Sequence, residues 1–254
     1  MIKVSITSLK GGRKNNEDNY AFGGRRTPEC IEDVHYVREF KHKKSFFAAV
    51  ADGMGGLSDG EAASCKVVTY FMSHKKLLKK NPNLFFRRIN KKIVKYGGGT
   101  TFSAVISNKN NLEFYTIGDS PIFYYDYKQD LLTQVNYLDN RASELNEEVT
   151  DPFMYERAKS QLLAFLGCKR FINEEVVPFH YYTLQSKPGD IILLCTDGAA
   201  SSLSSSEIKS ICRNRGQNYP SLAEAITQAA VCNETQRGIK AADNATCVCI
   251  EFIG

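Results

Sequence analysis

The sequence lacks the features that assign chains to several large functional classes. Its eight cysteines include no Cys-x-x-Cys pair, and its four histidines, His35, His42, His74 and His180, stand at no metal-ligand spacing from a cysteine or from one another. A structural zinc site is therefore not expected. No Gly-x-Ser-x-Gly elbow supports Ser64, Ser103 or Ser120 as a covalent nucleophile. No Gly-x4-Gly-Lys-Ser/Thr loop is present to cradle a nucleoside triphosphate. No apolar run reaches the roughly 18 residues that a membrane helix needs. The opening MIKVSITSLKGG has no apolar h-region, so no secretory signal is visible. Several cysteines sit in apolar runs, as Cys195 does in Ile191–Cys195. They read as buried, reduced thiols, and the expected setting is a soluble protein of a reducing cytosol.

What is present is ordinary globular material: 254 residues, 43% hydrophobic and 24% charged. A chain of this length buries about three-quarters of its unfolded surface and needs no staples. With no repeat, low-complexity tract or linker, one domain over residues 1–254 is expected. The net charge of +5 is too small to argue for nucleic acid. The basic stretch from Lys75 to Lys92 has no aromatics interleaved for base stacking and reads as a solvated helix face.

Periodicity places the elements. Residues 2–9 alternate as a half-buried strand, and 46–51 and 191–196 are apolar runs that close on Asp52-Gly53 and Asp197-Gly198. Residues 61–76 carry helical apolar spacing, and 84–96 follow Pro82 as a second helix. Residues 101–107, 112–117 and 122–127 form an antiparallel meander. Residues 137–152 are polar and without period and read as a surface flap. Ser204-x-x-Glu207 is a capping box that opens a helix. Residues 222–233 form another helix and 246–252 a closing strand. Sheets packed face to face with helices outside are the physical expectation.

Acidic residues next to glycine or asparagine recur at strand ends: Asn16-Glu17-Asp18, Asp52-Gly53-Met54-Gly55-Gly56, Gly118-Asp119-Ser120, Asp197-Gly198 and Asp243-Asn244. Each pair alone is explained by turn formation. Five at strand ends are harder to attribute to turns. Converging carboxylates repel and lose hydration, and are tolerable only with bound cations or protons. Oxygen ligands without His or Cys favour Mg²⁺ or Mn²⁺ over zinc. A pair of such ions acidifies water for attack on phosphorus. The glycines let backbone carbonyls approach an ion.

The order Arg13-Lys-Asn-Asn-Glu17-Asp18, Asp52-Gly-Met-Gly-Gly56, Gly60-Glu61-Ala-Ala-Ser64, Gly99-Thr-Thr101, Gly118-Asp-Ser120, Thr196-Asp-Gly198 and Asp243-Asn-Ala-Thr246 resembles the type-2C metal-dependent protein phosphatase (PPM) family, especially its compact bacterial members. The resemblance spans almost the whole chain. It implies an α+β fold, a four-layer α/β/β/α sandwich of two antiparallel sheets flanked by helices, with metals at one end. It implies Asp52 as the ligand bridging two paired Mn²⁺ or Mg²⁺ ions, Gly53 offering its carbonyl, and Asp197 and Asp243 as further ligands. Glu17 and Asp18 match the family's acidic pair, binding directly or through water. Asp119 matches an aspartate that helps hold a third, weaker ion. Arg13 matches the arginine that grips the substrate phosphate, a task suited to a guanidinium fork.

The implied activity is hydrolysis of phosphoserine and phosphothreonine in proteins by a metal-activated water, with Asp52, Arg13 and Asp18 as its catalytic groups. The implied partners are phosphorylated proteins and an opposing Ser/Thr kinase, with no nucleic acid or membrane and a monomeric state. Three departures stand out: Pro121 where the family has Arg after Gly-Asp-Ser, Ala199 in place of Leu, and Met54 where eukaryotic members often have His. Two other readings share the scaffold: a catalytically weak or inactive regulatory or binding module, hinted at by Pro121, and a small-molecule phosphomonoesterase.

Overall fold

A computed structural model describes residues 1–23, 25–26, 33–40, 45–54, 59–108, 110–145, 151–239 and 241–253. Cys30, His42 and the loop glycines Gly55 and Gly56 lie outside the described residues.

Two antiparallel sheets form the centre. In chain order the strands are β1 (Ile2–Leu9), β2 (Asn19–Phe22), β3 (Arg25–Arg26), β4 (Val34–Phe40), β5 (Phe47–Ala51), β6 (Phe102–Asn108), β7 (Asn111–Ile117), β8 (Ile122–Asp126), β9 (Leu131–Gln134), β10 (His180–Gln185), β11 (Ile191–Cys195) and β12 (Ala245–Phe252). Among the described residues one sheet runs β4-β1-β12-β11-β8-β9 and the other β10-β7-β6-β5-β2-β3. The helices are α1 (Gly60–Lys80), α2 (Pro82–Tyr96), α3 (Pro152–Lys159), α4 (Asp197–Ala200), α5 (Ser205–Arg213) and α6 (Leu222–Gln236).

Three apolar layers hold these elements together. The middle one lies between the sheets, where Val4, Ile6, Ile192, Leu194, Val248 and Ile250 of one sheet meet Ala48, Val50, Val105, Leu112 and Phe114 of the other. A second layer packs α1 and α2, through Val67, Phe71, Phe85 and Ile89, onto Ala49, Phe102 and Ala104. The third packs Ile208, Leu222 and Ile226 onto Leu193, Cys247 and Cys249. Central strands are thus apolar on both faces, which is why residues 191–195 read as an unbroken run rather than an alternation. The four-layer α/β/β/α sandwich expected from the sequence is the fold observed.

Element by element, the strands at 2–9, 47–51, 102–108, 111–117, 122–126, 191–195 and 245–252 lie where the sequence placed them. The Ser204–Glu207 capping box forms in full. The first helix runs four residues past its expected end at 76, with a non-helical residue at His74 (φ −121°, ψ 21°). Strands β2, β3, β4, β9 and β10 were not read. Most of them are short or at sheet edges, where a strand need not present the apolar face that makes it legible; β10, at one edge, alternates only between exposed and half-buried. The segment expected as a flap over 137–152 is anchored at its start, with Asp139, Asn140 and Ala142 buried. It carries a 3-10 turn at Arg141–Glu144, and residues 146–150 lie outside the described residues. No helix among the described residues is long and apolar enough to cross a membrane.

Phe114 is fully buried between the sheets. Phe114→Ala is expected to lose about 3–5 kcal/mol of stability, read as a lower urea midpoint at unchanged slope.

Candidate active site

The sandwich brings one end of both sheets to a common cleft. Glu17 and Asp18 end the loop from β1 into β2, Asp52 and Gly53 follow β5, and Asp119 sits in the turn from β7 to β8. Asp197 follows β11, and Asp243 lies just ahead of β12. These residues come from both sheets, so the cleft exists only when the sheets are stacked. It measures about 460 Å³ and is lined by Arg13, Glu17, Asp52, Gly53, Asp119, Asp197 and Asp243. Asp18 lies buried among them, within electrostatic reach of Asp197 and Asp243. Every site residue expected from the sequence is thereby gathered at one place.

Backbone spacing there admits only glycine at two positions. A Cβ on Gly53 would lie 2.3 Å from the Gly60 carbonyl oxygen and 2.6 Å from that of Glu17. A Cβ on Gly198 would lie 2.2 Å from the Asn244 carbonyl oxygen and 2.9 Å from the Asp243 Cβ. Both glycines let strand ends close up so that the adjoining aspartates meet.

A polar scaffold lies beneath the acids. The Thr196 hydroxyl donates to Asp18 Oδ2 at 2.8 Å, and the Thr246 N–H donates to Thr196 Oγ1 at 3.0 Å. Asn244 accepts the Glu17 N–H on Oδ1 at 2.9 Å and donates from Nδ2 to the Lys10 and Asn15 carbonyls. It thereby ties the first acidic loop to the last. The Asp52 N–H donates to Thr101 Oγ1 at 3.0 Å, and the Asp52 carbonyl accepts the Thr101 N–H at 2.9 Å. Asp139 fixes the turn at Asp119: its Oδ2 accepts the Gly118 N–H at 2.9 Å, its own N–H donates to the Gly118 carbonyl at 3.0 Å, and His180 Nε2 lies 2.8 Å from its Oδ1. Asn140 hydrogen-bonds Asp119 directly. Asp139, Asn140 and His180 had no site role in the sequence reading, because they lay in or beyond the assumed flap. The Asp139-Asn140 pair repeats the Asp243-Asn244 pattern, and that repeat is the signal that could have found them.

The electrostatics follow from this crowding. Burial pushes the carboxyl of Asp18 well above its ordinary range, and Asp197 and Asp243 push it further, against hydrogen bonds from Thr246 and Thr196. Burial, then Asp197, Asp18 and Asp119, raise Asp52 well above the usual value. Burial and Asp197 raise Asp119 from 3.8 to about 8. Asp243 is raised by burial and Asp197, with partial relief from Arg13, whose guanidinium donates to Asp243 Oδ2 at 2.9 Å. Groups that resist ionising for want of counter-charge are what a cation site looks like before the cation is counted.

The donors fit hard divalent ions. All are carboxylate or carbonyl oxygens, with no thiolate or imidazole in the cleft lining. Asp18 Oδ1 is buried with no hydrogen-bond partner among the described residues, and a cation would satisfy it. Among the described residues no three acidic, imidazole or thiol side chains already close on one point, although the carboxylates share the cleft.

Comparisons agree with this geometry. A sequence profile of the family described as Protein phosphatase 2C matches residues 25–241. No curated protein sequence matches the chain. Among solved structures, a serine/threonine phosphatase of S. agalactiae superposes with a TM-score of 0.73 at 20% identity, covering 100% of both chains. Stp1 of Staphylococcus aureus gives 0.75 at 18% identity, covering 100% of this chain and 96% of its own. The catalytic domain of the serine/threonine protein phosphatase PstP, in complex with two manganese ions, gives 0.68 at 24% identity over 100% of both chains.

A pH dependence follows from the raised carboxyls. Folding favours the neutral form of Asp119, so its contribution to stability is complete below the unfolded value of 3.8 and is lost as pH rises through about 8. Asp18, Asp52 and Asp243 act in the same direction. Chelator-treated protein is expected to melt several degrees higher near pH 6 than near pH 8, a difference on the order of 2 kcal/mol. Equal melting temperatures by calorimetry would contradict the crowding of these acids.

Proposed function

The chain belongs to the protein phosphatase 2C family, and from that premise we propose that it is a metal-dependent serine/threonine protein phosphatase that releases inorganic phosphate from phosphoserine and phosphothreonine side chains. The observation that carries this reading is the gathering of Asp18, Asp52, Asp119, Asp197 and Asp243 from both sheets at one cleft whose rim holds Arg13.

Mn²⁺ or Mg²⁺ at this site would supply positive charge against the phosphoryl oxygens and a water acidic enough to attack phosphorus near neutral pH. Asp52 feels the charges of Asp197, Asp18 and Asp119 together, which supports it as the residue that would serve two ions. Asp18, Asp197 and Asp243 would hold such a pair with it, the Gly53 carbonyl and Glu17 would assist, and Asp119 would hold a further ion. Thr196 engages Asp18 Oδ2, which would leave Oδ1 for an ion. Arg13, half exposed and resting on Asp243, can exchange that carboxylate for two phosphate oxygens. The bond from phosphorus to the seryl or threonyl oxygen breaks, and the side chain leaves as a hydroxyl. Met54 has no proton to give that oxygen, so residue 54 is not its acid. The substrates are phosphorylated proteins, opposed by a Ser/Thr kinase.

The deciding experiment is hydrolysis of a phosphothreonine peptide with Mn²⁺; no turnover with Mn²⁺ or Mg²⁺ by folded protein defeats the proposal. Asp52→Asn is expected to lower kcat by at least about a thousandfold with unchanged circular dichroism, and a near-normal rate would show that Asp52 holds no ion. Asp139→Ala frees the Gly118-Asp119 turn and is expected to weaken binding of the additional Mn²⁺ about tenfold in calorimetric titration, sparing the tighter pair.

A further inference from the structure

A second hollow, of about 370 Å³, opens beside the acidic cleft and shares Asp119, Ser160 and Asp197 with it. Its character is different. Phe123, Ala142, Leu203 and Ile208 give it apolar stretches of wall among polar groups such as Asn140, Ser143 and Glu156, and Tyr155 of α3 lines it with 42% of its surface exposed. Pro121 also lines it, two residues on from Asp119. An arginine there, as the family resemblance would have it, would bring a guanidinium to this wall; proline adds no charge and is rigid. The cation in the lining, Lys159, is already engaged, with its ammonium 3.1 Å from Glu156 Oε1 and 5.1 Å from the centre of the Tyr155 ring.

We propose that this hollow is a subsite for a bulky apolar side chain one or two positions from the phosphorylated residue of a protein substrate. The inference rests on the phosphatase reading and adds to it the class of sequence preferred. Continuity with the cleft supplies the register, because an extended peptide advances about 3.3 Å per residue. With its phosphate among the ions, such a peptide places a neighbouring side chain at the shared wall. Apolar walls favour leucine, isoleucine or phenylalanine, which gain by leaving water. An acidic neighbour would meet Glu156, and among the described residues of the lining the lysine that could answer it, Lys159, is already paired with Glu156.

The test compares phosphothreonine peptides carrying Leu, Phe, Ala or Asp at the flanking positions, with p-nitrophenyl phosphate as a substrate that has no flank. Leu and Phe peptides are expected to exceed Ala and Asp peptides about tenfold in kcat/KM. Ser205→Arg, at an exposed residue of the lining, and Tyr155→Ser should each erase that advantage and leave p-nitrophenyl phosphate turnover unchanged. Equal kcat/KM for all four flanks, or an advantage that survives both variants, overturns the subsite. Loss of all turnover, p-nitrophenyl phosphate included, would instead defeat the phosphatase reading. Fluorescence anisotropy with non-hydrolysable phosphonate peptides then still decides the subsite: the same ranking of flanks supports it, and a flat ranking overturns it.

Discussion

Carboxylates delivered to one cleft from five separate chain positions repel each other, and the rest of the molecule is built to withstand that repulsion. The force is countered from behind, not within. Three apolar layers fix the strands whose ends carry the acids, so Asp52 and Asp197 cannot drift apart without opening the packing between the sheets. The Thr196 hydroxyl and the Asn244 N–H then hold oxygens of Asp18 and Asp243, and the Asn244 side chain ties the backbone of the loop that carries Glu17. A site of this kind stores unfavourable electrostatic energy until cations arrive, which is the usual relation between a functional centre and its scaffold.

Tight spacing and charge are linked through glycine. Gly53 and Gly198 remove side chains where two loops touch, and the same closeness that forbids a Cβ brings the neighbouring aspartates within reach of one another. Next to this crowded, polar cleft the chain places a hollow with apolar walls, and Pro121 keeps the boundary between them free of positive charge. On the proposed function, one region would take the phosphate group common to all substrates, and the other what differs among them.

Much of this was legible in the sequence, for identifiable reasons. Central strands such as Ile191–Cys195 announce themselves because both faces are buried, and Ser204 with Glu207 announces a helix because capping is local chemistry. Every acidic site residue could be named because each sits in a short Asp-Gly, Asp-Ser or Asp-Asn signature. Their convergence could not be read, since it depends on which sheet each strand joins. Edge strands such as Val34–Phe40 and His180–Gln185 were harder to read, because the face they give the core, at Val34, Tyr36, Tyr182 and Leu184, is only partly buried. The support given by Asp139 and His180 was hidden for a further reason: it consists of contacts across 21 and 41 residues of chain, which the local Asp139-Asn140 pattern does not report.

The pairing of β1 with β12 has a kinetic side. Ile2 lies opposite Phe252, and Leu9 opposite Ala245, so the second strand of one sheet in spatial order closes against the last strand made. Contacts of such long sequence separation form slowly, because nearly all the intervening chain must be ordered around the loop they close. On the ribosome β1 would wait, its β12 side unpaired, for the final strand to emerge, while the sheet built from β5, β6 and β7 could form from neighbouring segments. Asp243 enters just ahead of that final strand, so the acidic cleft is among the last features to be completed, and a nascent chain has no finished site with which to capture ions or substrate.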